Sequence, residues 1–283
     1  MPPKNLITGA QNTWCPGCGN FTIQFALRNA IQGFIAEGVP LETIVLVTGI
    51  GCHAKMGDYL DINSFYSIHG RTIPVATGIK LANPDLTVIC CAGDGDAYAE
   101  GLDHLIFAAK RNADITVIIH NNRVYGLTTG QYTPTSPLGF RGRSTPEGTP
   151  EEPFNPLTLM LASGAGFVAR STSRKMPHLA GIIGQALRHK GFSFIDVLQI
   201  CATYFNMTEL YDRKGYELSG HDPADFQAAC QKAEEWDYNS DSPIAFGVFY
   251  QEEKTCFEER FRRHPPSRGG REEPIRAVLE RKR

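Results

Sequence analysis

The sequence predicts an α/β fold, in which a parallel sheet, mixed at its edges, carries helices on both faces. Two observations lead to this prediction. Short apolar or β-branched runs alternate with helical segments of about a dozen residues, as they do where helical crossovers join parallel strands. Each run also stops at a glycine or at a side chain capable of chemistry, where a strand of such a sheet would end.

The predicted elements follow one another in a regular order. Residues 20–36 place Phe21, Ile31 and Phe34 near helical spacing, and the run TIVLVT at 43–48 has the composition of a buried strand. Further strands are predicted at 86–92, 115–120 and 194–200, and further helices at 97–110, 176–190 and 212–239. The stretch 133–156 is rich in Pro, Gly, Thr and Ser, which is typical of a long functional loop or lid.

Composition restricts the classes of function. The chain has 283 residues, 42% of them apolar, and a formal net charge of −2. This charge gives no field that would attract nucleic acid or an anionic membrane surface, so neither is expected as a partner. The N-terminal stretch lacks the apolar core of a secretory signal, and no run reaches the ~18 apolar residues of a membrane span. We therefore expect a cytoplasmic protein, whose eight cysteines are thiols or metal ligands rather than disulfides.

The run GDGD at residues 93–96 lies between a predicted strand and a predicted helix. Gly93 and Gly95 permit a tight turn and close approach to an anion, towards which the helix directs its positive end. Asp94 offers a carboxylate and Asn122, one strand later, an amide oxygen, which together suit Mg²⁺ that also binds phosphate and water. The alternative, an ordinary turn before a buried helix, leaves the Asn-Asn pair at 121–122 unexplained.

Four cysteines form a second candidate site. Cys15 and Cys18 make a C-x₂-C knuckle, whereas Cys52 and Cys201 follow predicted strands at the edge where Asp94 is expected. Four thiolates suit either Zn²⁺ or an iron–sulfur cubane. The cubane is favoured, because zinc sites usually pair two close knuckles. The remaining cysteines are interpreted as structural: Cys90, Cys91, Cys230 and Cys256.

The spacing of GDG and NN resembles that of thiamine-diphosphate (TPP) enzymes, which implies a TPP-binding fold. By that resemblance, Asp94, Asn122 and the carbonyl of Val124 would hold Mg²⁺. The cofactor site would also include Gly93, Gly95, Asp96, Gly126, Leu127 and Thr128. In this superfamily a Glu from a different domain acts on the aminopyrimidine ring, and no second domain of suitable length is visible. The chain is therefore expected to be half of an active site.

A larger set of motifs resembles one family, the β subunits of 2-oxoacid:ferredoxin oxidoreductases. They are WCPGCG, GIGCHAK, HGRTIPVATGIKLANPDL, CAGDGDAYAEG, HNNRVYGLTTGQ and GVFYQEE, and the resemblance covers residues 11–205 and 244–260. It implies one [4Fe–4S] cluster on Cys15, Cys18, Cys52 and Cys201. The implied reaction is the reversible, coenzyme A-dependent oxidative decarboxylation of a 2-oxoacid, with ferredoxin as electron acceptor.

The resemblance also implies partners. An α (or fused αγ) subunit would supply the Glu and much of the coenzyme A site, in a dimer of αβ heterodimers. We predict that residues 1–205 form the α/β domain with both cofactor sites. Residues 206–283 would be an extension that packs on this domain and on the partner subunit. The charged end, 258–283, is interpreted as a solvated tail or a docking arm.

Several expectations concern the substrate. 2-Oxoglutarate, giving succinyl-CoA and CO₂, is expected, with pyruvate or indolepyruvate as the alternative. Lys55, His69 and Arg71 are candidates for contact with substrate or cofactor, whereas the other histidines considered, His53, His104 and His120, are interpreted as structural. The sequence departs from the family pattern at Ala202, where Pro is common, and at Thr129, where Lys or Gly is common. Outside this family, a TPP enzyme without a cluster or a zinc-stabilised, non-catalytic assembly subunit are the other interpretations.

Overall fold

The computed structural model describes residues 5–261 and residue 280. Within these residues, eight strands form one sheet in the order β2-β1-β3-β4-β6-β5-β8-β7. The strands are β1 (Ile44–Thr48), β2 (Asn63–Tyr66), β3 (Thr87–Gly93), β4 (Thr116–Asn121), β5 (Phe167–Thr172), β6 (Ser193–Leu198), β7 (Gly215–Glu217) and β8 (Ile244–Gln251). Every neighbouring pair is parallel except β5 and β8. The prediction of a parallel sheet that is mixed at its edge is confirmed.

Helices cover both faces of the sheet, as predicted. They are α1 (Asn20–Ala36), α2 (Met56–Tyr59), α3 (Thr72–Ala82), α4 (Leu102–Arg111), α5 (Pro156–Ala162), α6 (Met176–Arg188), α7 (Thr208–Lys214) and α8 (Phe226–Glu234). One core contains α1, α2 and α6, and the opposite core contains α3, α4, α5 and α8. In α1 the buried stripe recurs every four residues at Ile23, Leu27 and Ile31, which is the spacing of one helix face.

The four predicted strands are present with ends shifted by one or two residues, but four others were not predicted. Strand β5 illustrates why a strand can escape prediction, since it includes the buried, polar residues Arg170 and Thr172. Arg170 lies opposite Asp196 of β6 in the strand register, and its positive charge opposes the rise that burial causes in the pKa of that carboxyl group. Sequence periodicity detects apolar strands, and it cannot detect a buried charge whose partner lies on another strand.

Two predicted helices differ from the structure. The helix expected at 97–110 begins as a π-helix over Asp96–Glu100 and continues, after Gly101, as α4. The single helix expected at 212–239 is wrong, because the chain forms the end of α7, then β7, then α8. Gly215 ends α7 in tight packing, since a Cβ there would lie 2.3 Å from the ring of Phe246. The helix therefore stops where the chain enters the sheet.

The segment after residue 205 contributes to the same sheet. Strand β8 pairs with β5, and β7 pairs with β8. A third apolar cluster, which includes Tyr211, Trp236 and Tyr238, packs this segment onto the end of β6. Most of the predicted tail at 258–283 lies outside the described residues. Among the helices described, none combines the length and apolar character that crossing a membrane would require.

Asn112 provides a test of this packing. It ends α4 in the left-handed conformation, with φ of 55°, and is 5% exposed. Its Oδ1 accepts a hydrogen bond from the Phe192 N–H at 2.9 Å, and its Nδ2 donates to the Lys254 carbonyl at 3.1 Å. We expect Asn112→Ala to destabilise the fold by about 2 kcal/mol, because both bonds are lost and alanine disfavours this φ.

Thermal unfolding monitored by fluorescence would measure the effect. Asn112→Gly is the matched control, because glycine accepts the backbone conformation but makes neither hydrogen bond. Its melting temperature should fall between those of the parent and the alanine variant. An alanine variant as stable as the parent would contradict this account of Asn112.

Candidate active site

Four adjacent parallel strands, β1, β3, β4 and β6, end at one edge of the sheet. The residues that follow these ends line two cavities at that edge. The first cavity has a volume of about 70 Å³ and the second about 210 Å³. Ligands bind outside the carboxyl ends of the strands in open α/β sheets, so this is the edge where a site is expected.

The first cavity contains every residue that was predicted to bind the cofactor. They are Gly93, Asp94, Gly95, Asp96, Asn122, Val124, Gly126, Leu127 and Thr128. The turn after β3 contributes one side of the cavity, and the turn after β4 contributes the other. A Cβ on Gly95 would lie 2.1 Å from Cε1 of Tyr125, so glycine at this position lets the Tyr125 ring lie against the turn after β3.

The second cavity contains the four predicted cluster ligands, Cys15, Cys18, Cys52 and Cys201. It shares a wall with the first cavity. The residues that line both are Cys52, Asn122, Gly126, Leu127 and Gln199. The expected metal-and-diphosphate site and the expected cysteine site therefore lie side by side.

Asp94 is buried, and burial raises the pKa of its carboxyl group to about 7. Its Oδ2 accepts hydrogen bonds from the hydroxyls of Thr133, at 2.6 Å, and Thr135, at 3.2 Å. Among the described residues, no lysine, arginine or histidine forms an ion pair with it. A divalent cation would supply the positive charge that this buried carboxylate lacks, so the site fits Mg²⁺.

The turn after β4 presents the other two predicted Mg²⁺ ligands. Arg123, between Asn122 and Val124, adopts the left-handed conformation with φ of 62°. The Oδ1 of Asn122 accepts a hydrogen bond from the Val124 N–H at 3.1 Å, which closes a tight turn. Both residues line the first cavity together with Asp94. An amide side chain, a backbone carbonyl and a carboxylate are a donor set suited to a hard cation.

The four thiols are drawn together by the surrounding structure. The Trp14 indole N–H donates to the Cys52 carbonyl at 2.7 Å, which ties the Cys15–Cys18 knuckle to the Cys52 turn. A Cβ on Gly126 would lie 3.7 Å from the Cys52 sulfur and 3.8 Å from the Cys201 sulfur. Burial, together with the neighbouring thiols, raises the pKa of Cys18 to about 11.

The donor set can be compared with two kinds of metal site. Within the described residues, no three His, Cys, Asp or Glu side chains converge on a position for a single metal ion. The four thiols instead surround a cavity. Four thiols around one cavity are a donor set that suits an iron–sulfur cubane.

The three predicted catalytic residues have different positions. His69 lines the first cavity, where its Nδ1 lies 3.3 Å from Oε2 of Glu100. Lys55 lines the cysteine cavity, and its Nζ donates to the Thr13 hydroxyl at 2.9 Å. Arg71 lines neither cavity. Its guanidinium donates hydrogen bonds to the carbonyls of Gly70, at 3.1 Å, and Glu100, at 3.0 Å. Arg71 therefore braces the backbone beside the site.

The carboxylate of Asp96 makes contacts with the neighbouring protein segments at Gly70 and His53. Its Oδ1 accepts a hydrogen bond from the Gly70 N–H at 2.6 Å, and its Oδ2 lies 3.3 Å from Nε2 of His53. Burial alone would raise the pKa of Asp96, but His53 and the Gly70 N–H hold it below its usual value. The carboxylate thus joins the turn that carries His69 to the end of β3.

Several residues of the first cavity are not predicted by the sequence. His53 and His120, interpreted from the sequence as structural, both line the cavity, as do Tyr125 and Gln199. Burial, followed by the proximity of His53, holds the pKa of His120 well below its usual range. His120 is therefore a neutral imidazole, whose Nδ1 lies 2.7 Å from the Asn20 Oδ1. The one feature of the sequence that could have assigned His120 to the site is its position at the end of β4, next to Asn121.

Comparison with known proteins decides the family. Residues 49–197 match the family described as thiamine pyrophosphate enzyme, C-terminal TPP binding domain. Residues 201–264 match the family that describes the C terminus of the pyruvate ferredoxin oxidoreductase beta subunit. The chain is 41% identical to the 2-oxoacid:ferredoxin oxidoreductase subunit beta of Saccharolobus solfataricus over 271 residues, which cover 90% of this chain and 87% of the relative. The chain belongs to the family of 2-oxoacid:ferredoxin oxidoreductase β subunits.

Further relatives agree with this assignment. The 2-oxoglutarate synthase subunit KorB of Methanothermobacter marburgensis is 45% identical over 192 residues, which cover 68% of this chain and 66% of the relative. A solved 2-oxoglutarate:ferredoxin oxidoreductase from Magnetococcus marinus, with 2-oxoglutarate, coenzyme A and succinyl-CoA bound, superposes with a TM-score of 0.89 and 31% identity. That match covers 98% of this chain and 96% of the other. The resemblance, the TPP-binding fold and the oxidoreductase class are thereby confirmed.

The tight contact between Gly95 and Tyr125 predicts a mutational effect on this β subunit. In a Gly95→Ala variant the new methyl group must displace the Tyr125 ring, which lines the same cavity. We expect the variant to bind TPP roughly tenfold more weakly, which is the size of effect that substitutions beside metal ligands usually have on affinity.

TPP binding can be measured by quenching of protein fluorescence. Gly78→Ala is the matched control, because a Cβ at Gly78, in α3, meets nothing within 4 Å. This control should bind TPP as the parent does. Equal binding by the Gly95 variant and the parent would show that the turns can separate without harming the cavity.

Proposed function

We propose that this β subunit is the catalytic half of an enzyme that converts 2-oxoglutarate, coenzyme A and oxidised ferredoxin reversibly into succinyl-CoA, CO₂ and reduced ferredoxin. The observation that carries the proposal is the wall shared by the two cavities. Cys52, Asn122 and Gly126 line both the cavity expected to hold TPP and the cavity expected to hold the cluster. Decarboxylation and electron acceptance would therefore occur at neighbouring positions.

Asp94, Asn122 and the Val124 carbonyl would hold Mg²⁺, with TPP occupying the first cavity. When bound, TPP supplies the electron sink that decarboxylation of a 2-oxoacid requires. The residues of this chain would prepare its surroundings. The raised pKa of Asp94 reflects a buried carboxylate that a cation would neutralise, and neutral His120 adds no competing positive charge.

Cys15, Cys18, Cys52 and Cys201 would hold one [4Fe–4S] cluster. The chain's own contribution is to fix the positions of the thiols, as the hydrogen bond between Trp14 and the Cys52 carbonyl does. Gln199 Nε2 lies 3.6 Å from the Cys18 sulfur, and hydrogen bonds to sulfur are one means of tuning a cluster's reduction potential. Thiol ligands of this kind favour a reducing compartment such as the cytoplasm.

Two observations support 2-oxoglutarate as the substrate: the names of similar proteins and the positive charge of Lys55. Three of the similar proteins are named 2-oxoglutarate synthase subunits, and the solved relative contains 2-oxoglutarate. Lys55 provides a cation in the cysteine cavity, where it could pair with a substrate carboxylate or a phosphate. His69 is the other candidate for contact with substrate. A pyruvate- or indolepyruvate-specific enzyme is the second candidate, because other relatives are named only for 2-oxoacids in general.

The active site would be completed by an α or fused αγ subunit. Relatives named as β subunits imply such a partner. Apolar side chains at the rim of the two cavities are exposed, including Ile50 at 41%, Leu127 at 48% and Tyr204 at 39%. Covering them would exclude water from the site. We propose that the partner supplies the aminopyrimidine Glu and the coenzyme A site in a dimer of heterodimers, and that ferredoxin accepts the electrons.

Variants of the two sites should have separable effects. In anaerobically purified complex with the partner subunit, we expect Asp94→Ala to abolish retention of TPP and to leave the brown cluster in place. Cys201→Ser should lose cluster absorbance and iron while TPP is retained. The reason is that the two sites share a wall but no predicted ligand.

Thiamine analysis, iron analysis and visible absorption spectra would measure both cofactors. Asp103→Ala is the matched control, since this carboxylate lies on α4 and is 71% exposed. Loss of both cofactors from the Asp94 variant would mean that the two sites are not independent. A colourless parent protein with stoichiometric zinc would instead favour the zinc-stabilised assembly subunit, in which Asp94 and Asn122 have no role.

The substrate is tested by viologen or ferredoxin reduction with a panel of 2-oxoacids and coenzyme A. We expect the ratio kcat/KM to be highest for 2-oxoglutarate. We also expect Lys55→Met to lower it by about tenfold or more, as loss of a charge pair in a binding site does. Reduction that is fastest with pyruvate or indolepyruvate would replace 2-oxoglutarate as the proposed substrate.

A further inference from the structure

Two hydroxyl groups beside Asp94 have no role in the proposed function. Thr133 and Thr135 lie in the segment after the cavity-lining turn, and they are 2% and 0% exposed. The Thr133 hydroxyl lies 2.6 Å from Oδ2 of Asp94, and the Thr135 hydroxyl lies 3.2 Å from the same atom. Both contacts therefore end on one oxygen of the carboxylate.

The two hydroxyls differ in how firmly they bind Asp94. A threonine hydroxyl has one hydrogen to donate. The hydroxyl of Thr135 is also 2.8 Å from the Oδ1 of Asn121, so its single hydrogen is shared between two acceptors. Thr133 has the shorter contact, and Asp94 is its closest acceptor. Thr133 is thus the main donor to Asp94, and Thr135 is a supporting one.

The segment that carries these hydroxyls is fastened to the turn after β4. Ser136 Oγ donates to the Arg123 carbonyl at 2.6 Å, and Arg123 Nε donates to the Thr135 carbonyl at 2.6 Å. Arg123 is itself 1% exposed, with its guanidinium carbon 5.5 Å from the centre of the Trp236 ring. Its Nη2 also donates to the Tyr238 carbonyl. The hydroxyl donors are therefore held in register with the turn that carries Asn122 and Val124.

We propose that Thr133, supported by Thr135, is a positioning residue that makes Asp94 a ligand through one oxygen only and so selects Mg²⁺ over Ca²⁺. This inference rests on the proposed function, in which Asp94 binds the metal. With Oδ2 engaged by hydroxyls, Oδ1 is the atom that remains for a metal. Mg²⁺ requires a near-octahedral set of single oxygen ligands, whereas Ca²⁺ readily accepts both oxygens of a carboxylate.

The test measures binding of two metals without reference to turnover. The complex with its partner subunit is freed of metal and cofactor with a chelator, supplied with excess TPP and titrated with Mg²⁺ or Ca²⁺ in a calorimeter. We expect Thr133→Val to weaken Mg²⁺ binding by about tenfold or more, as changes to the partners of metal ligands do. Ca²⁺ binding should weaken by only about twofold, because Ca²⁺ tolerates a freed second oxygen.

Further variants separate this role from a general effect on the fold. Thr133→Ser keeps the hydroxyl and should stay within about threefold of the parent for Mg²⁺. Thr135→Val should lose less Mg²⁺ affinity than Thr133→Val, because its contact is longer and shared. Thr116→Val is the matched control. Thr116 is a buried threonine at the opposite end of β4, whose hydroxyl contacts the Ala186 carbonyl, and it should bind both metals as the parent does.

Each outcome decides the proposal. Parent-like Mg²⁺ affinity in Thr133→Val, or an equal loss of Mg²⁺ and Ca²⁺ affinity, overturns it. If Thr133→Val does not fold, Thr135→Val carries the same test: it should weaken Mg²⁺ binding more than Ca²⁺ binding, because one donor to the same Asp94 oxygen is lost, and equal effects on the two metals overturn the proposal. Asp94→Asn separates the assignment of the metal site from the positioning role of the threonines. If that variant binds Mg²⁺ as the parent does, the metal site itself is misassigned; if it loses Mg²⁺ while the threonine variants do not, only the positioning role fails.

Discussion

The parallel pairing of β1, β3, β4 and β6 is the constraint on which the site depends. Neighbouring strands lie about 4.8 Å apart, and parallel strands all end at the same edge. Groups that are far apart in the chain, such as Cys52, Asp94, Asn122 and Cys201, are thereby brought to adjacent cavities. The close approach needed at this edge then requires small residues, of which Gly95 is the clearest example.

A buried polar network beneath this edge joins the site to the rest of the subunit. Asp196 accepts hydrogen bonds from Tyr98 at 2.9 Å, Asn121 at 3.0 Å and Tyr238 at 2.5 Å. Burial raises its pKa, and the nearby charge of Arg170 opposes that increase. Breaking one member of such a network leaves other buried groups unpaired, so the network favours a single arrangement. The segment that carries Tyr238 is therefore an integral part of the domain.

The sequence was most informative where a local pattern and its chemistry coincide. The GDG turn and the Asn-Asn pair each combine a backbone requirement with a ligand type, and both line the cavity at the predicted edge of the sheet. It was least informative where a residue's role depends on a distant partner. His120 and Thr133 have ordinary sequence contexts, and only the approach of Asn20 and of Asp94 makes them part of the site.

The amino-acid sequence by itself determined the α/β class, the family and the identity of the expected ligands, because those features are encoded in short motifs and in their order along the chain. The tertiary structure alone decided which residues share a wall between the cavities and which hydroxyls reach the Asp94 carboxylate. It also placed Arg71 outside both cavities. The physical reason is that local patterns specify backbone conformation and side-chain chemistry, whereas contacts between distant segments are fixed only when the whole sheet and its two cores are packed.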